Sequence, residues 1–363
     1  MPEAALSTRP IYSARPTLRL AGEADLRLTH LLTAMRMEES EGGMSHIELR
    51  FSNLVSLNSG ATEAAFDANA DLKLGAAIEV YGGDTQAPVE IFRGKVSAIE
   101  LLYTMGAAPE LTVLAEDALF AARLARRSKV YTDMSLADVV REVAQALHLQ
   151  PTITGLTEPV GTWAQINESD LAFLRRLLAR FDADLQIVGD ALQVSPRGDV
   201  ARGEIELAMF GQLVRARVLA DVSQQITQLS TAGWNPVDGS AVSHEASALT
   251  HGGPGSGRSG AAWLEEAFGA RSEHVGHLAV ATQAEAEAVA SAAFDQRARR
   301  FVRIEGMAEG NPALRVGTTV AVSGLSSQFD NSYYVCSAQH LYDQTQGYRT
   351  GFTAECAWLG EGT

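Results

Sequence analysis

The sequence predicts an α+β fold that is rich in β-strand, and three observations carry this prediction. Short segments of alternating apolar and polar residues, separated by glycine-rich turns, occupy both ends of the chain. The middle of the chain repeats apolar residues at helical spacing instead. A length of 363 residues allows about two domains at roughly 150 residues each. We therefore predict two barrel-like strand domains with a small α/β region inserted between them.

The first barrel-like domain is predicted over residues 1–125. In "SHIELRFSNLV", Ile47, Leu49 and Phe51 alternate with polar residues, which is the two-residue period of a half-buried strand. "AAIEVYGGD" ends a strand at a glycine pair, and "VEIFRGKVSAIELLY" predicts a longer strand that Gly94 interrupts. Short strands with glycine-rich turns are typical of an antiparallel sheet or barrel.

The inserted α/β region is predicted over residues 126–200. In "MSLADVVREVAQALHL" the apolar residues share one helical face, and Ser135 with Asp138 has the spacing of a capping box. "DLQIVGDALQVSP" predicts a β-hairpin that turns at Gly189–Asp190.

A second helix is predicted in "INESDLAFLRRLLARFDADLQI", Ile166 to Ile187. Glu168 and Asp170 have the chemistry of a general acid/base pair. In the first turn of a helix, however, carboxylates stabilise the positive end of the helix dipole by about 0.3–1 kcal/mol. The arginines that follow offer partners along the helix rather than a convergent pocket, and they are Arg175, Arg176 and Arg180. We interpret the segment as a scaffold helix.

The second barrel-like domain is predicted over residues 201–363. Within it, Ser247–Trp263 crowds glycine and serine around one proline and predicts a mobile loop. "TQAEAEAVASAAFDQRARRF" predicts a third helix, with Thr282 and Glu285 placed as a capping box. The chain has no short internal repeat, which argues against a solenoid.

The charge balance excludes two classes of partner. With 29 basic and 44 acidic residues the net charge is −15, whereas nucleic acids and anionic membranes bind basic faces. No run of about 18 apolar residues predicts a membrane span. The start, "MPEAALSTRPIYSARP", lacks the continuous apolar core of a signal peptide, so we expect synthesis in the cytoplasm.

Two patterns resemble ligand sites but favour simpler interpretations. Gly255, Gly257 and Gly260 have GxGxxG spacing, yet no buried strand leads into them, so a flexible loop is favoured over a dinucleotide site. Four histidines are candidate metal ligands: His244, His251 and the HxxH pair His274 and His277. They lack the HExxH spacing of zinc hydrolases, so we predict no metal site. His340 is expected inside a sheet.

Two cysteines are too few for a disulfide framework or a zinc site. A hairpin that turns about residues 344–346 would place Cys336 opposite Ala354 and Cys356 opposite Tyr334. The sulfurs would then be diagonal neighbours, roughly 7–8 Å apart, beyond disulfide reach. We predict free thiols. Because the chain also lacks a GxSxG elbow, a Walker loop and a Cys–His signature, we predict no catalytic, cofactor-binding or metal-binding residue and no enzyme activity.

Several segments together resemble the phage late control D proteins, which are baseplate hubs of contractile-tailed phages, and are similar to the hub portion of VgrG proteins in type VI secretion. These segments are "VEIFRGKVSAIE", "LTVLAEDALFAARLARRSKVYTDMSLADVVREVAQALHL", "WAQINESDLAFLRRLLARFDADLQIVGDALQV", "GWNP" and "GNPALRVGTTVAVSGLSSQFDNSYYVCSAQHLYDQTQGYRTGFTAE". The resemblance runs from about residue 20 to 359. Asn235 stands where the family often has aspartate, and Asn331 where glycine is common.

The resemblance implies the phage tail hub fold and a structural function. Three chains would close into a ring of pseudo-sixfold symmetry that joins a sixfold tail tube to a threefold central spike. The implied partners are a homotrimer, the tail tube protein, a spike protein and other baseplate proteins, with assembly into a virion or phage-tail-like particle. Because VgrG chains continue into a needle and this chain ends in "GEGT", we expect the spike to be a separate polypeptide.

Two details of this hub are further expectations. The arginine side of the Ile166–Ile187 helix would meet a neighbouring chain or a baseplate protein. An acidic lumen would let DNA or acidic cargo slide without sticking.

Two alternatives remain open. The first alternative is a hub-like adaptor of a type VI or extracellular injection system, with the loop Ser247–Trp263 docking an effector. The other alternative is a cell-wall hydrolase that uses the region His244–His277.

Overall fold

The computed structural model describes residues 15–56, 62–66, 72–83 and 87–360. The first 14 residues, which hold most of the segment inspected for a signal peptide, lie outside this range. In the ranges described, no helix is long and apolar enough to cross a membrane.

The first barrel-like unit precedes residue 117. Its elements are β1 (Thr17–Leu20), β2 (Glu23–Ala24), α1 (Leu26–Leu31), β3 (Leu32–Ser40), β4 (His46–Ser52), β5 (Val55–Ser56), β6 (Thr62–Glu63), β7 (Ala77–Gly83), β8 (Pro88–Leu102) and β9 (Glu110–Glu116). The main sheet runs in the order β3-β4-β9-β8-β7-β1-β2, with antiparallel neighbours. Ile47, Leu49 and Phe51 are fully buried in its core, as their alternation predicts.

The predicted break at Gly94 is wrong, because β8 continues through it as one strand. A Cβ atom at position 94 would lie 2.3 Å from the carbonyl oxygen of Glu116 and 2.6 Å from the ring of Phe92. The glycine therefore permits a close approach of β8 to β9 rather than ending the strand.

An α/β unit follows the first barrel. Its elements are a 3₁₀ turn (Ala118–Phe120), α2 (Ala121–Leu124), β10 (Arg126–Met134), α3 (Leu136–Ala146), β11 (Gln150–Ile153), β12 (Gly161–Ser169), α4 (Asp170–Ala179), β13 (Ala183–Val188), β14 (Ala191–Pro196) and a 3₁₀ turn (Arg197–Asp199). The predicted capping box of α3 is present, with Ser135 and Asp138 satisfying each other's backbone N–H groups. The predicted hairpin is β13–β14, and Gly189 takes a left-handed φ of +60° in its turn.

The rest of the chain builds a second barrel-like unit and a second α/β unit. The elements are β15 (Glu204–Ala208), β16 (Leu213–Ala220), β17 (Gln228–Asn235), β18 (Ser240–Ala246), β19 (Arg258–Ser259), α5 (Gly260–Phe268), β20 (Ser272–Val275), α6 (Gln283–Arg299), β21 (Val302–Glu309), β22 (Thr319–Ser323), β23 (Asn331–Asp343), β24 (Gly347–Cys356) and β25 (Trp358–Leu359). Strands β15, β22, β23, β24, β21 and β16 surround one core. Strands β17, β18 and β20 form a separate sheet against α6. The predicted domain limits at residues 125 and 200 stay predictions.

The predicted helix cap at α6 is present only in part. The Thr282 side chain accepts a hydrogen bond from the Glu285 N–H, as a capping box requires. The Glu285 carboxylate accepts from the N–H of Ala281 and pairs with Arg180. The same carboxylate thus caps one helix and ties it to another element.

The loop predicted over Ser247–Trp263 ends earlier in the structure than expected, because α5 begins at Gly260. Ser259 caps α5 by accepting a hydrogen bond from the Ala262 N–H, so the last four residues of the predicted loop are helical. The two residues of β19 pair with β25 at the end of the second barrel. The serine-glycine composition suggested a loop, but Ser-Gly-Ala-Ala-Trp-Leu is a capped helix start.

The two barrel-like units share one sheet. Strand β23 of the second unit pairs antiparallel with β3 of the first, from Ser337 opposite Ser40 to Asp343 opposite Ala34. The sheet therefore runs β16-β21-β24-β23-β3-β4-β9-β8 without interruption, and every neighbouring pair is antiparallel. Both hydrophobic cores lie on the same face of this eight-stranded run, because Met35 and Met37 face buried Tyr342 and His340 across the joint.

Candidate assembly surface

The acidic residues of the predicted scaffold helix form ion pairs rather than a catalytic pair. Glu168 belongs to the end of β12 and not to the first helical turn, because Ser169 is the N-cap of α4. Glu168 pairs with Arg176 at 2.5 Å, and hydrogen bonds from Arg176 hold the pKa of Glu168 below its usual value. Asp170 is buried and pairs with Arg127 at 2.8 Å.

The arginines of α4 mostly contact their own chain. Arg175 donates to the carbonyl oxygens of Gly42 and Gly43 in the β3–β4 turn. Arg180 pairs with Glu285 of α6 at 2.6 Å. These contacts join α4 to the first barrel and to α6. Of the three arginines, Arg176 is about half exposed and remains the candidate for the expected contact with a neighbouring chain.

The histidines do not form a metal centre. Across the part of the chain that the structure describes, no three histidine, cysteine, aspartate or glutamate side chains could hold a metal ion together. His274 Nδ1 lies 3.0 Å from the hydroxyl of Ser230. His340 is fully buried in the shared sheet, as expected, with Nδ1 2.7 Å from the Tyr348 hydroxyl, and burial lowers its pKa well below the usual value.

Both cysteines are free thiols, as predicted. Their predicted register is wrong by one residue, because a β-bulge at Cys336 leaves Val335, not Cys336, opposite Ala354. Tyr334 accordingly faces Glu355. Burial raises the pKa of both thiols to about 12. Neither thiol has the lowered pKa of a nucleophile.

The GxGxxG glycines serve packing. A Cβ atom at Gly257 would lie 2.2 Å from the carbonyl oxygen of Leu359, and one at Gly255 would lie 2.8 Å from the Cys356 sulfur. Gly260 is helical. The segment before it is also anchored, because the Asp295 carboxylate accepts from two consecutive backbone N–H groups at residues 250–251. These contacts do not favour a phosphate cradle.

A buried ion-pair junction joins the two barrels. Glu39 of β3 accepts two hydrogen bonds from Arg315, at 2.8 and 2.6 Å, and a third from the Val316 N–H at 2.7 Å. Arg197 bridges Glu41 of the first barrel and Glu355 of the second. These pairs link segments that lie far apart in the sequence.

One carboxyl group of this junction titrates near neutrality. Burial raises the pKa of Glu41 to about 7, against the opposing attraction of Arg197. In the neighbouring turn, burial raises the pKa of Asp117 to about 6, although this carboxylate accepts hydrogen bonds from the N–H groups of Ser45 and Leu119.

The eight-stranded run has an open edge at each end. At one end, residues 98–102 of β8 pair with β9, and no pairing on their other side occurs among the described residues. At the other end, β16 pairs with β21, and its one further pairing among the described residues is a single bridge at Leu213. Open edges expose unpaired backbone groups that readily accept another strand.

Apolar side chains are exposed at both edges. Ile99 and Leu101 lie on the same face of the sheet as their buried partners on β9, Val113 and Leu111. Even so, 36% of the Ile99 surface and 50% of the Leu101 surface remain exposed. Leu102, Tyr103 and Met105 extend this apolar surface around the hairpin tip, and Phe210, Val214 and Leu219 are exposed at the β16 edge. Exposed apolar side chains that cluster in this way mark interaction surfaces. The run "AIELLYTM" breaks strict alternation, which is the signal that sequence inspection missed.

The face opposite the cores carries charges of both signs together with three exposed leucines, Leu102, Leu114 and Leu219. Near the β8 edge it presents Glu48, Glu100, Glu110 and Arg50, and near the β16 edge it presents Arg215, Arg217, Arg303 and Glu305. The β8 end is thus mainly acidic and the β16 end mainly basic. In the described structure Glu100, Glu110 and Arg215 form no ion pair.

Comparisons with known proteins give a family match and a set of structural matches. The family described as "Alg8 N-terminal domain" matches residues 52–344. No curated protein matches the chain. The matched family differs from the late control D family that the sequence resembles. The resemblance is therefore supported only by the similar folds of tail and secretion proteins.

Three solved structures have a similar fold. The 43 kDa tail protein of prophage MuSo2 from Shewanella oneidensis has a TM-score of 0.67 at 14% identity, covering 94% of this chain and 97% of that chain. A tail protein from Neisseria meningitidis has a TM-score of 0.63 at 10% identity, covering 95% and 96%. An E. coli component of the type VI secretion system has a TM-score of 0.61 at 12% identity, covering 95% and 79%. These matches confirm the predicted β-rich α+β fold of tail hub proteins.

Proposed function

The chain belongs to the family described as the Alg8 N-terminal domain, and we propose that it is a structural hub of a contractile phage tail or a related injection system. In this role three copies form a ring that joins a sixfold tail tube to a threefold central spike. The family description names no reaction or partner. The proposal is supported by the shared fold of phage tail proteins and a type VI secretion component, and by the edges of the shared sheet.

The observation that carries the proposal is the uninterrupted eight-stranded run with an open edge at each end. Two different edges on one chain form a head-to-tail contact, and such contacts generate rings when the rotation closes. Each chain contributes two barrel-like units to the ring. Three chains therefore present six similar positions on the ring, which matches a sixfold tube on one side and a threefold spike on the other.

The polar face of the sheet would line the ring. Both hydrophobic cores lie on the other face, so a closed sheet would present its charged residues to the lumen. The residues of this face include arginines as well as glutamates, so the proposed lumen is of mixed charge rather than uniformly acidic. A lumen of mixed charge would repel a polyanion less strongly than a uniformly acidic lumen would.

The hub requires no chemistry of its own. The three candidate groups for catalysis are accounted for by local contacts: ion pairs for Glu168 and Asp170, a hydroxyl contact for His274, and packing for the glycines. We propose that the protein is not an enzyme and that its tube, spike and baseplate contacts are its function.

The mass of the protein in solution tests this proposal. Multi-angle light scattering is performed on the protein alone, with a candidate spike protein, and with a candidate tube protein. We expect three chains of 38.7 kDa each, alone or on addition of a partner. A protein that stays monomeric and binds neither partner at high concentration would contradict the hub.

A further inference from the structure

We infer that the ring closes by pairing the β8 edge of one copy with the β16 edge of the next, with the acidic end of one polar face against the basic end of its neighbour. This inference rests on the proposed function and names the surface and the partner, a second copy of this chain. It commits to a head-to-tail contact in which Glu100 meets Arg215 or Arg217.

Strand direction permits this pairing. All eight strands of the shared run alternate in direction, so β16 and β8 run in opposite directions within one chain. In a head-to-tail ring the β16 of the next copy therefore meets β8 as an antiparallel neighbour. The β16 strand, with eight residues, is long enough to pair with all five residues of the open β8 segment, 98–102.

Burial favours the same contact. Ile99 and Leu101 lie on the core face of the sheet but remain partly exposed, because no strand follows β8 there in the described structure. On β16, Ala216 and Val218 also face the core and are half-buried. A new strand pair would place these four side chains side by side and continue one apolar layer across the seam.

Charge complementarity sets the partner and its orientation. On the polar face Glu100 of β8 has no ion-pair partner within the described ranges, and neither has Arg215 of β16. Arg217 lies 3.6 Å from Glu305, and Arg303 lies 4.0 Å from the same carboxylate, so two arginines at this end share one carboxylate. A contact between two identical edges would oppose like charges, whereas the head-to-tail contact joins opposite charges.

Charge reversal tests the seam at low salt, under the condition in which the wild-type protein forms its trimer. The single variants are Glu100→Arg, Arg215→Glu and Arg217→Glu, and the double variants combine Glu100→Arg with each arginine reversal. The matched control is Glu206→Arg, which reverses an exposed glutamate on β15, an edge strand outside the seam. Circular dichroism and thermal melting establish that each variant is folded.

We expect each seam variant to weaken trimer formation. One exposed ion pair changes an association constant by about twofold to fivefold, and three seams per ring multiply this to about tenfold to hundredfold. Glu206→Arg should leave the trimer unchanged, and one of the two double variants should restore it, which also fixes the register. The effect should shrink in high salt.

The failures of the two proposals differ. Single reversals that leave the trimer as tight as the wild type, or double variants that both fail to restore it, would overturn the seam while the hub survives. A wild-type protein that never assembles, with spike or tube present, would overturn the hub and the seam together.

Discussion

Charged residues occur in two contrasting settings in this molecule. At the junction between the barrels, Glu39 is buried and accepts three hydrogen bonds, and Arg197 contacts carboxylates from both barrels. At the edges of the shared sheet, Glu100 and Arg215 are exposed and without an ion pair in the described structure.

The difference shows which charges hold the chain together and which are available to other molecules. Removing one partner of a buried pair leaves an uncompensated charge and costs several kcal/mol, whereas exposed ion pairs contribute about 0–1 kcal/mol. The junction should therefore set the stability of the single chain. The edges should influence assembly with little effect on folding.

The largest effect is expected at Arg315. Arg315→Ala would leave the carboxylate of Glu39 buried without its guanidinium, and we expect the free energy of unfolding to fall by about 3–5 kcal/mol. Urea denaturation followed by circular dichroism measures this. Arg36→Ala is the control, because Arg36 is exposed and pairs with the partly buried Glu38, so its loss should cost about 1 kcal/mol or less. Equal losses in both variants would remove the contrast between junction and surface.

An intermediate, pH-dependent effect is expected at Glu41. Its folded-state pKa of about 7 lies above the ordinary value of 4.5, so the folded protein binds a proton more tightly than the unfolded chain. Stability from this group is therefore present below pH 4.5 and is lost as the pH rises towards 7. Because about a third of the side chain is exposed, we expect a loss of about 1 kcal/mol.

Glu41→Gln isolates this contribution. The amide does not titrate, so the variant does not lose this contribution. As the pH rises from 4.5 to 7, the unfolding free energy of the wild type should fall by about 1 kcal/mol relative to that of the variant. The Asp117 contribution is common to both proteins and cancels. A difference that stays constant with pH would contradict the raised pKa of Glu41.

The smallest effect on folding is expected at the edge. Glu100→Gln removes an exposed charge that forms no ion pair in the described structure and attracts Arg50 only at longer range, and surface substitutions of this kind change stability by about 0.5 kcal/mol or less. The same substitution should weaken the trimer at low salt. A variant that unfolds more easily by several kcal/mol would assign Glu100 to the fold instead of the assembly.

Local signals in the sequence predicted the helices and hairpins well. The capping residues of α3 and α6 and the glycine turn of β13–β14 are where side-chain chemistry places them. Local signals failed where a neighbour distant in sequence decides the structure. Gly94 suggested a break because its closeness to the backbone of β9 is invisible in the sequence.

The candidate site was mostly out of reach of sequence inspection. Pairing of β3 with β23 joins segments about 300 residues apart, so neither the shared sheet nor its two edges follows from periodicity. The bulge at Cys336 likewise shifted a register that simple hairpin counting had fixed. Composition could not indicate that arginines gather at one edge of the polar face.

Hydrogen–deuterium exchange of the two sheet edges measures whether they become paired when the ring closes. Amides of residues 98–102 and 214–220 are compared between the monomer and the assembled trimer, with β3 and β23 as internal references. We expect about half of the edge amides to become protected on assembly, because alternate residues of an edge strand direct their N–H groups outward, while the reference strands stay protected in both states. Edges that exchange equally fast in monomer and trimer would contradict ring closure through the shared sheet.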